Sequence, residues 1–275
     1  MLATFEEFGG DCAVCDVNDR TPLHVAVLQS RFEVAQVLMS TFFHQRDKEG
    51  FTALDYAALS GNVPLLELFV KNLDSSLPPA PQPRILQCAI MSGSTEAIRL
   101  VLADLRIPAS TVDPRNGRTA LHYAVQSSQT SLERLLEAVP KMRDLVGVGD
   151  KAGRRPLHLA ARDNHTSNCS LLLKNHADPF TVDNKGLTAF HYAASVWNGA
   201  ESLKELLQSA SKSRLDEFSF LLSPGRTPKM SCLHIAAYVS NEDAFDLMFK
   251  QLLPEEFDPN TLDRYRVRQL TSGMS

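Results

Sequence analysis

One six-residue motif returns seven times along this chain at intervals near 33 residues, so any fold must place seven like units one after another. The first four copies are Thr21-Pro22-Leu23-His24-Val25-Ala26, Thr52-Ala53-Leu54-Asp55-Tyr56-Ala57, Arg84-Ile85-Leu86-Gln87-Cys88-Ala89 and Thr119-Ala120-Leu121-His122-Tyr123-Ala124. The last three are Arg155-Pro156-Leu157-His158-Leu159-Ala160, Thr188-Ala189-Phe190-His191-Tyr192-Ala193 and Ser231-Cys232-Leu233-His234-Ile235-Ala236. Their starts lie 31, 32, 35, 36, 33 and 43 residues apart. A unit this short cannot bury an apolar face alone, so the units stack and share a continuous core.

Each unit reads as helix, tight turn, helix. Alanine stands five residues into every copy, where a short helix lies close against its neighbour and only a small side chain fits. An apolar pair follows sixteen and seventeen residues after the motif start, at Val37/Leu38, Leu68/Phe69, Leu100/Val101, Leu135/Leu136, Leu171/Leu172 and Leu247/Met248. In the sixth copy it slips by two, to Leu206/Leu207. Thr or Ser ahead of Pro or Ala starts a helix well, because its hydroxyl accepts a free backbone N–H. Gly61 and Gly93 fall where the turn between helices needs a left-handed residue. Asp16, Asp47, Asp150, Asp183 and Asp263 each precede a motif start by five residues, and Gly50, Gly117, Gly153 and Gly186 follow at a turn. The first copy has Asp19 in place of that Gly.

These motifs resemble the T-P-L-H-x-A repeat of the ankyrin family over nearly the whole chain. The fold class expected is all-α, an ankyrin-repeat solenoid of about seven helix-turn-helix units with short β-finger hairpins. The repeats are expected at 21–51, 52–77, 84–118 (degenerate), 119–154, 155–187, 188–210 and 231–262. A Pro-rich linker occupies 78–83 and an inserted loop 211–230. Residues 1–20 read as the tail of an incomplete upstream repeat, with Gly9-Gly10-Asp11 matching the loop that closes a unit. Residues 263–275 read as the start of another. Neither end carries a polar capping repeat, so the chain is expected to be a slice of a longer array, with Phe5, Phe8, Leu262 and Leu270 exposed by the cut.

Composition removes several function classes. A net charge of −4 does not supply the field that a nucleic-acid binder needs. The sequence holds no apolar run of membrane-spanning length and no secretory signal at Met1–Glu7. Cysteine numbers five, an odd count, and Cys88, Cys169 and Cys232 fall inside repeat helices, which points to a reducing compartment, the cytosol or the nucleus.

Residues that could carry chemistry resolve into structural roles. His24, His122, His158, His191 and His234 recur at one offset in five units, whereas a catalytic group occurs once; an imidazole there bonds backbone groups of neighbouring loops. Cys12-Ala13-Val14-Cys15 has half-site spacing for zinc but no second pair to complete four ligands. Pro78 to Arg84 contains a Pro-x-x-Pro core, read as a stiff linker rather than an SH3 ligand. In the inserted loop Leu215, Phe218, Leu221 and Leu222 keep helical spacing, and Ser223-Pro224 and Thr227-Pro228 are candidate phosphorylation sites. No catalytic set, metal or cofactor is called, and the chain reads as a non-enzymatic protein-binding scaffold.

The resemblance also implies where partners dock, namely the finger tips and the exposed ends of the first helices. Those offsets place Arg115, Arg118, Lys151, Arg154, Arg162 and Lys185 on one face, with Leu187 beside them and Asp113 and Asp163 diluting the charge. The implied partner is an acidic or phosphorylated protein segment, which arginine clamps with two parallel hydrogen bonds. The alternative is a targeting module within a longer multidomain kinase, channel or signalling enzyme. A narrower resemblance, to the regulatory ankyrin-repeat subunits of serine/threonine-protein phosphatase 6, rests on the 43-residue interval between His191-Tyr192-Ala193-Ala194 and Leu233-His234-Ile235-Ala236-Ala237. It implies a phosphatase catalytic subunit as partner.

Overall fold

The computed structural model describes residues 15–72, 83–105, 107–127, 129–197, 200–213 and 231–252. Fourteen α-helices run through them in seven pairs. In unit order they are α1 (Pro22–Leu28) and α2 (Phe32–Phe42), α3 (Ala53–Leu59) and α4 (Val63–Lys71), α5 (Pro83–Ser92) and α6 (Thr95–Ala103), then α7 (Ala120–Ser127) and α8 (Gln129–Ala138). The remaining pairs are α9 (Pro156–Arg162) and α10 (Thr166–Lys174), α11 (Ala189–Ala194) and α12 (Glu201–Ser213), and α13 (Cys232–Tyr238) and α14 (Glu242–Leu252). A 3-10 helix spans Pro140–Leu145.

The chain divides into two compact units, Met1–Asp113 with Thr130–Met142, and Pro114–Gln129 with Arg143–Ser275. In the first unit α1, α3 and α5 form one layer and α2, α4 and α6 a second, each helix packing on its counterpart one repeat along. Leu23, Leu54, Leu66, Phe69, Ile90 and Ile98 fill the space between the layers. In the second unit α7, α9, α11 and α13 stack in sequence, and α10 packs on α12. Its core is built from Leu121, Leu157, Phe190, Leu203, Leu206 and Leu233. The motif alanines are all buried, from Ala26 to Ala236. They sit on first helices that pack directly against one another, where a larger side chain would force the helices apart.

The motif also explains how each first helix begins. Thr21, Thr52 and Ser231 are extended N-caps whose hydroxyls accept the amide three residues on. Five helix pairs then turn through a left-handed residue nine positions after the motif start. Glycine supplies it at Gly61 and Gly93, while Ser30, Asn164 and Ser240 hold φ of 54°, 53° and 56° in the same slot. Asn164 stays useful there, because its side-chain carbonyl accepts the Ser202 amide at the start of α12 (3.1 Å) and its NH2 donates to Glu201 (2.8 Å).

The fingers depart from expectation. They were expected as short β-hairpins, yet the described residues contain no strand. Four fingers have one backbone bond between their flanks, Asp16 N–H to Arg20, Asp47 to Phe51, Asp150 to Arg154 and Asp183 to Leu187, and a second inside the turn, from the residue three on back to the same aspartate's carbonyl. One bond between the flanks leaves too few paired groups for a ladder. The aspartate does the rest: one carboxylate oxygen of Asp47, Asp150 or Asp183 accepts the amides two and four residues on. Gly153, at φ +76°, lies so close to the next finger that an added Cβ would stand 2.8 Å from the Asn184 amide nitrogen.

Phe5, Phe8, Cys12, residues 78–82 of the Pro-rich linker, Leu215 to Leu222, Ser223, Thr227, Leu262 and Leu270 lie outside the described residues.

Candidate functional site

Three motif histidines, His24, His122 and His158, join a helix start to the finger that follows. In His122 the bare Nδ1 receives the Thr119 amide (3.1 Å) and hydroxyl (2.9 Å), while Nε2–H donates to the Arg154 carbonyl (2.8 Å). His24 repeats this with Thr21 and the Phe51 carbonyl. His158 receives the Arg155 amide and its Nε2–H faces the Thr181 and Leu187 carbonyls. His191 receives Thr188, and His234 receives Ser231. His24, His122, His158 and His191 are buried, whereas His234 is exposed. Two donors aimed at Nδ1 fix the neutral Nε2–H tautomer, and burial holds the His122 and His158 rings below their ordinary pKa. Asp55 and Gln87 occupy the same slot in the second and third copies. Asp55 accepts the Thr52 amide and hydroxyl, and its other oxygen is buried without a hydrogen-bond partner. Burial raises its carboxyl above the usual carboxylate range.

In the second unit the fingers are tied edge to edge. Lys151 N–H donates to the Asn116 carbonyl (2.9 Å), and Asn184 reaches back to the Ala152 and Lys151 carbonyls (both 3.0 Å). This frame carries the candidate binding residues. Arg115, Lys151 and Lys185 are exposed on the turns, and the Lys151 ammonium donates to the Pro114 carbonyl (2.6 Å). Leu187 is half-buried behind them, near exposed Val182 in sequence.

Arg118, Arg154 and Arg162 have partners within the chain that bear on the stripe's charge. Arg154 binds Asp150 through Nε (2.9 Å) and Nη2 (2.8 Å), and burial of that carboxylate is outweighed by Arg154 and the finger amides, which keep it below the usual range. Arg118 donates to Gln126 (2.7 Å), lies over the Tyr123 ring and stands 3.9 Å from Asp150. Arg162 clamps Asp163 with bonds of 2.7 and 3.0 Å. Asp113 is buried. The charge available to a partner is therefore narrower than the residue count indicates.

Two aromatic side chains were not singled out by sequence reasoning. Trp197 is 79% and Tyr238 82% exposed. Tyr238 lies seven residues after its motif start, the same offset as Arg162, so the rule that selected Arg162 also selects Tyr238. Cys88, Cys169 and Cys232 are buried, and burial pushes the Cys169 thiol up to about 12. Among the described residues no group of three or more His, Cys, Asp or Glu is placed to hold a metal ion, and no helix is long and apolar enough to cross a membrane.

Known proteins place this architecture. A family model described as ankyrin repeats (3 copies) matches residues 2–78 and 133–217, and a second, ankyrin repeats (many copies), matches 86–137. The NF-kappa-B p105 subunit of Gallus gallus is 28% identical over 173 residues, covering 58% of this chain and 17% of its own length. Transient receptor potential cation channel subfamily A member 1 of Homo sapiens is 36% identical over 106 residues, covering 38% and 9%. Inversin of Canis lupus familiaris is 29% identical over 212 residues, covering 69% and 18%. This chain thus spans less than a fifth of each of these relatives. The crystal structure of the ankyrin repeat domain of Bcl-3 superposes with a TM-score of 0.58 at 20% identity, over 75% of this chain and 90% of that one. Repeat spacing, stacked helix pairs and family models matching more than half of the residues agree, and the chain belongs to the ankyrin-repeat family.

Proposed function

We propose that the chain is a non-catalytic protein-binding module whose partner docks on the finger turns and first-helix ends of the second unit. The observation that carries this reading is the edge-to-edge tying of the fingers, which holds Arg115, Lys151 and Lys185 on a fixed frame before a partner arrives. Preorganisation lowers the ordering cost of association. The cations favour an acidic or phosphorylated segment, and exposed Trp197 and Tyr238 offer the aromatic type of contact that dominates many interfaces. The buried thiols support a reducing compartment, the cytosol or the nucleus.

Charge reversal tests the site. Arg118 and Arg154 are poor choices, because both brace Asp150. Arg115→Glu combined with Lys185→Glu should weaken a phosphorylated or Asp/Glu-rich peptide about tenfold at low salt and leave helicity unchanged. Affinity indifferent to both reversals, at low salt as well as high, would rule this face out.

A second reading, an ankyrin targeting module within a longer signalling protein or channel, is favoured by the small share of each relative that this chain spans. Recovery of a full-length transcript encoding a kinase or membrane domain would support it; a transcript ending with these repeats would remove it. The phosphatase 6 subunit reading rests on the 43-residue interval. Failure of purified phosphatase catalytic subunit to bind the chain would dispose of it.

A further inference from the structure

The exposed cations of the second unit stand at regular intervals, and backbone hydrogen bonds set the step. Within a finger the Asp150 amide meets the Arg154 carbonyl, and the Asp183 amide meets that of Leu187. Between fingers the Lys151 amide meets the Asn116 carbonyl, and the Asn184 amide meets that of Ala152. One repeat along this edge therefore crosses two hydrogen-bonded backbone gaps of about 4.8 Å, a step of about 10 Å. Arg115 and Lys151 each stand four residues before a motif start; Asn184 takes that place in the next finger, with Lys185 directly after it. All three cations are exposed. The Lys151 ammonium has three donors, of which the Pro114 carbonyl takes one.

We propose that this edge binds an acidic protein segment in the polyproline II conformation, with an acidic residue at every third position facing Arg115, Lys151 and Lys185 in turn. The proposal rests on the docking face argued above and adds the conformation and spacing of its partner. Polyproline II has three residues per turn, so every third side chain shares one face and neighbours there stand about 9 Å apart. Flexible Arg and Lys stems absorb the small difference from the step of the fingers. A β-strand does not fit, because its side chains alternate and the third one points away. A helix regains one face after seven residues, about 10 Å, but helices dock through an apolar stripe into an apolar groove. The turns at 114–117, 150–153 and 183–186 hold no large apolar side chain to line one. A proline-rich segment also arrives already extended, which lowers its ordering cost.

Three end-capped peptides of equal charge, titrated onto the full chain at low salt, test the spacing. The first repeats Glu-Pro-Pro three times; the second sets its three Glu together before six Pro; the third is a helix former with Glu at every seventh position. The first should bind about tenfold more tightly than either of the others. Equal affinities, or tighter binding of the clustered or helical peptide, would overturn the proposal and leave the docking face standing. No binding by any of the three would overturn both. The register has its own test, because the central Glu faces Lys151 whichever way the peptide runs. Lys151→Gln should weaken the first peptide about tenfold, and less than about twofold once that central Glu is replaced by Gln. Equal losses against the two peptides would contradict the pairing.

Discussion

His122→Ala should lower the unfolding free energy of the second unit by about 3–5 kcal/mol, read from urea denaturation of the whole chain. The ring is fully buried and joins the start of α7 to the finger at residues 150–154. Its removal opens a cavity, strips the acceptor from the Thr119 amide and hydroxyl, and leaves the Arg154 carbonyl without its Nε2–H donor. In a stack held by nearest-neighbour contacts, such a loss falls on the coupling between units. His234→Ala should cost a fraction of this, because His234 is exposed and its described bonds stay within its own helix start. Equal losses at the two positions would mean that the imidazole acts only as a local cap.

Acidification should destabilise the second unit by about 1–3 kcal/mol between about pH 7.5 and pH 5.5. Burial depresses the His122 and His158 pKa values in the folded chain, so the unfolded chain binds more protons as the pH falls past about 6.5. Their contribution is complete above that value and is lost below it. Asp150 and the His122–Arg154 carbonyl bond oppose the depression, while Arg118 and Arg154 reinforce it. Asp55, in the first unit, has the opposite sign: its raised carboxyl contributes stability at low pH that is lost as the pH climbs through its folded value. Amide exchange in α7 and α9 should accelerate with falling pH beyond the intrinsic chemical trend. Flat protection across this window would contradict the assigned tautomers.

The helix pairs were legible in the sequence because three independent periodicities coincide, the motif, its alanine and the apolar pair. Even the degenerate third copy folds as α5, since Leu86 and Ala89 keep the buried offsets although Arg84 and Gln87 replace Thr and His. Turn chemistry was only half legible. Gly61 announced a left-handed residue, but Ser30, Asn164 and Ser240 fill the same slot, and only alignment of the copies exposes them. Strands were over-read, because a turn that recurs with Asp and Gly resembles a hairpin whether or not a ladder forms. The binding stripe was the least legible part. Residue type gives the sign of a charge but not its partner, and Asp150 and Asp163 engage arginines that composition leaves free. The Asp150–Arg154 pair spans four residues across a tight turn, a spacing that could have flagged it.

The central claim, that the second unit's finger face is a docking surface, is tested most directly by amide exchange of the full chain with and without a bound acidic or phosphorylated peptide. Protection should appear at residues 150–154 and 183–187 and at the C-terminal ends of α9 and α13, around Arg162 and Tyr238. Protection confined to α10 and α12, with the fingers unchanged, would contradict it.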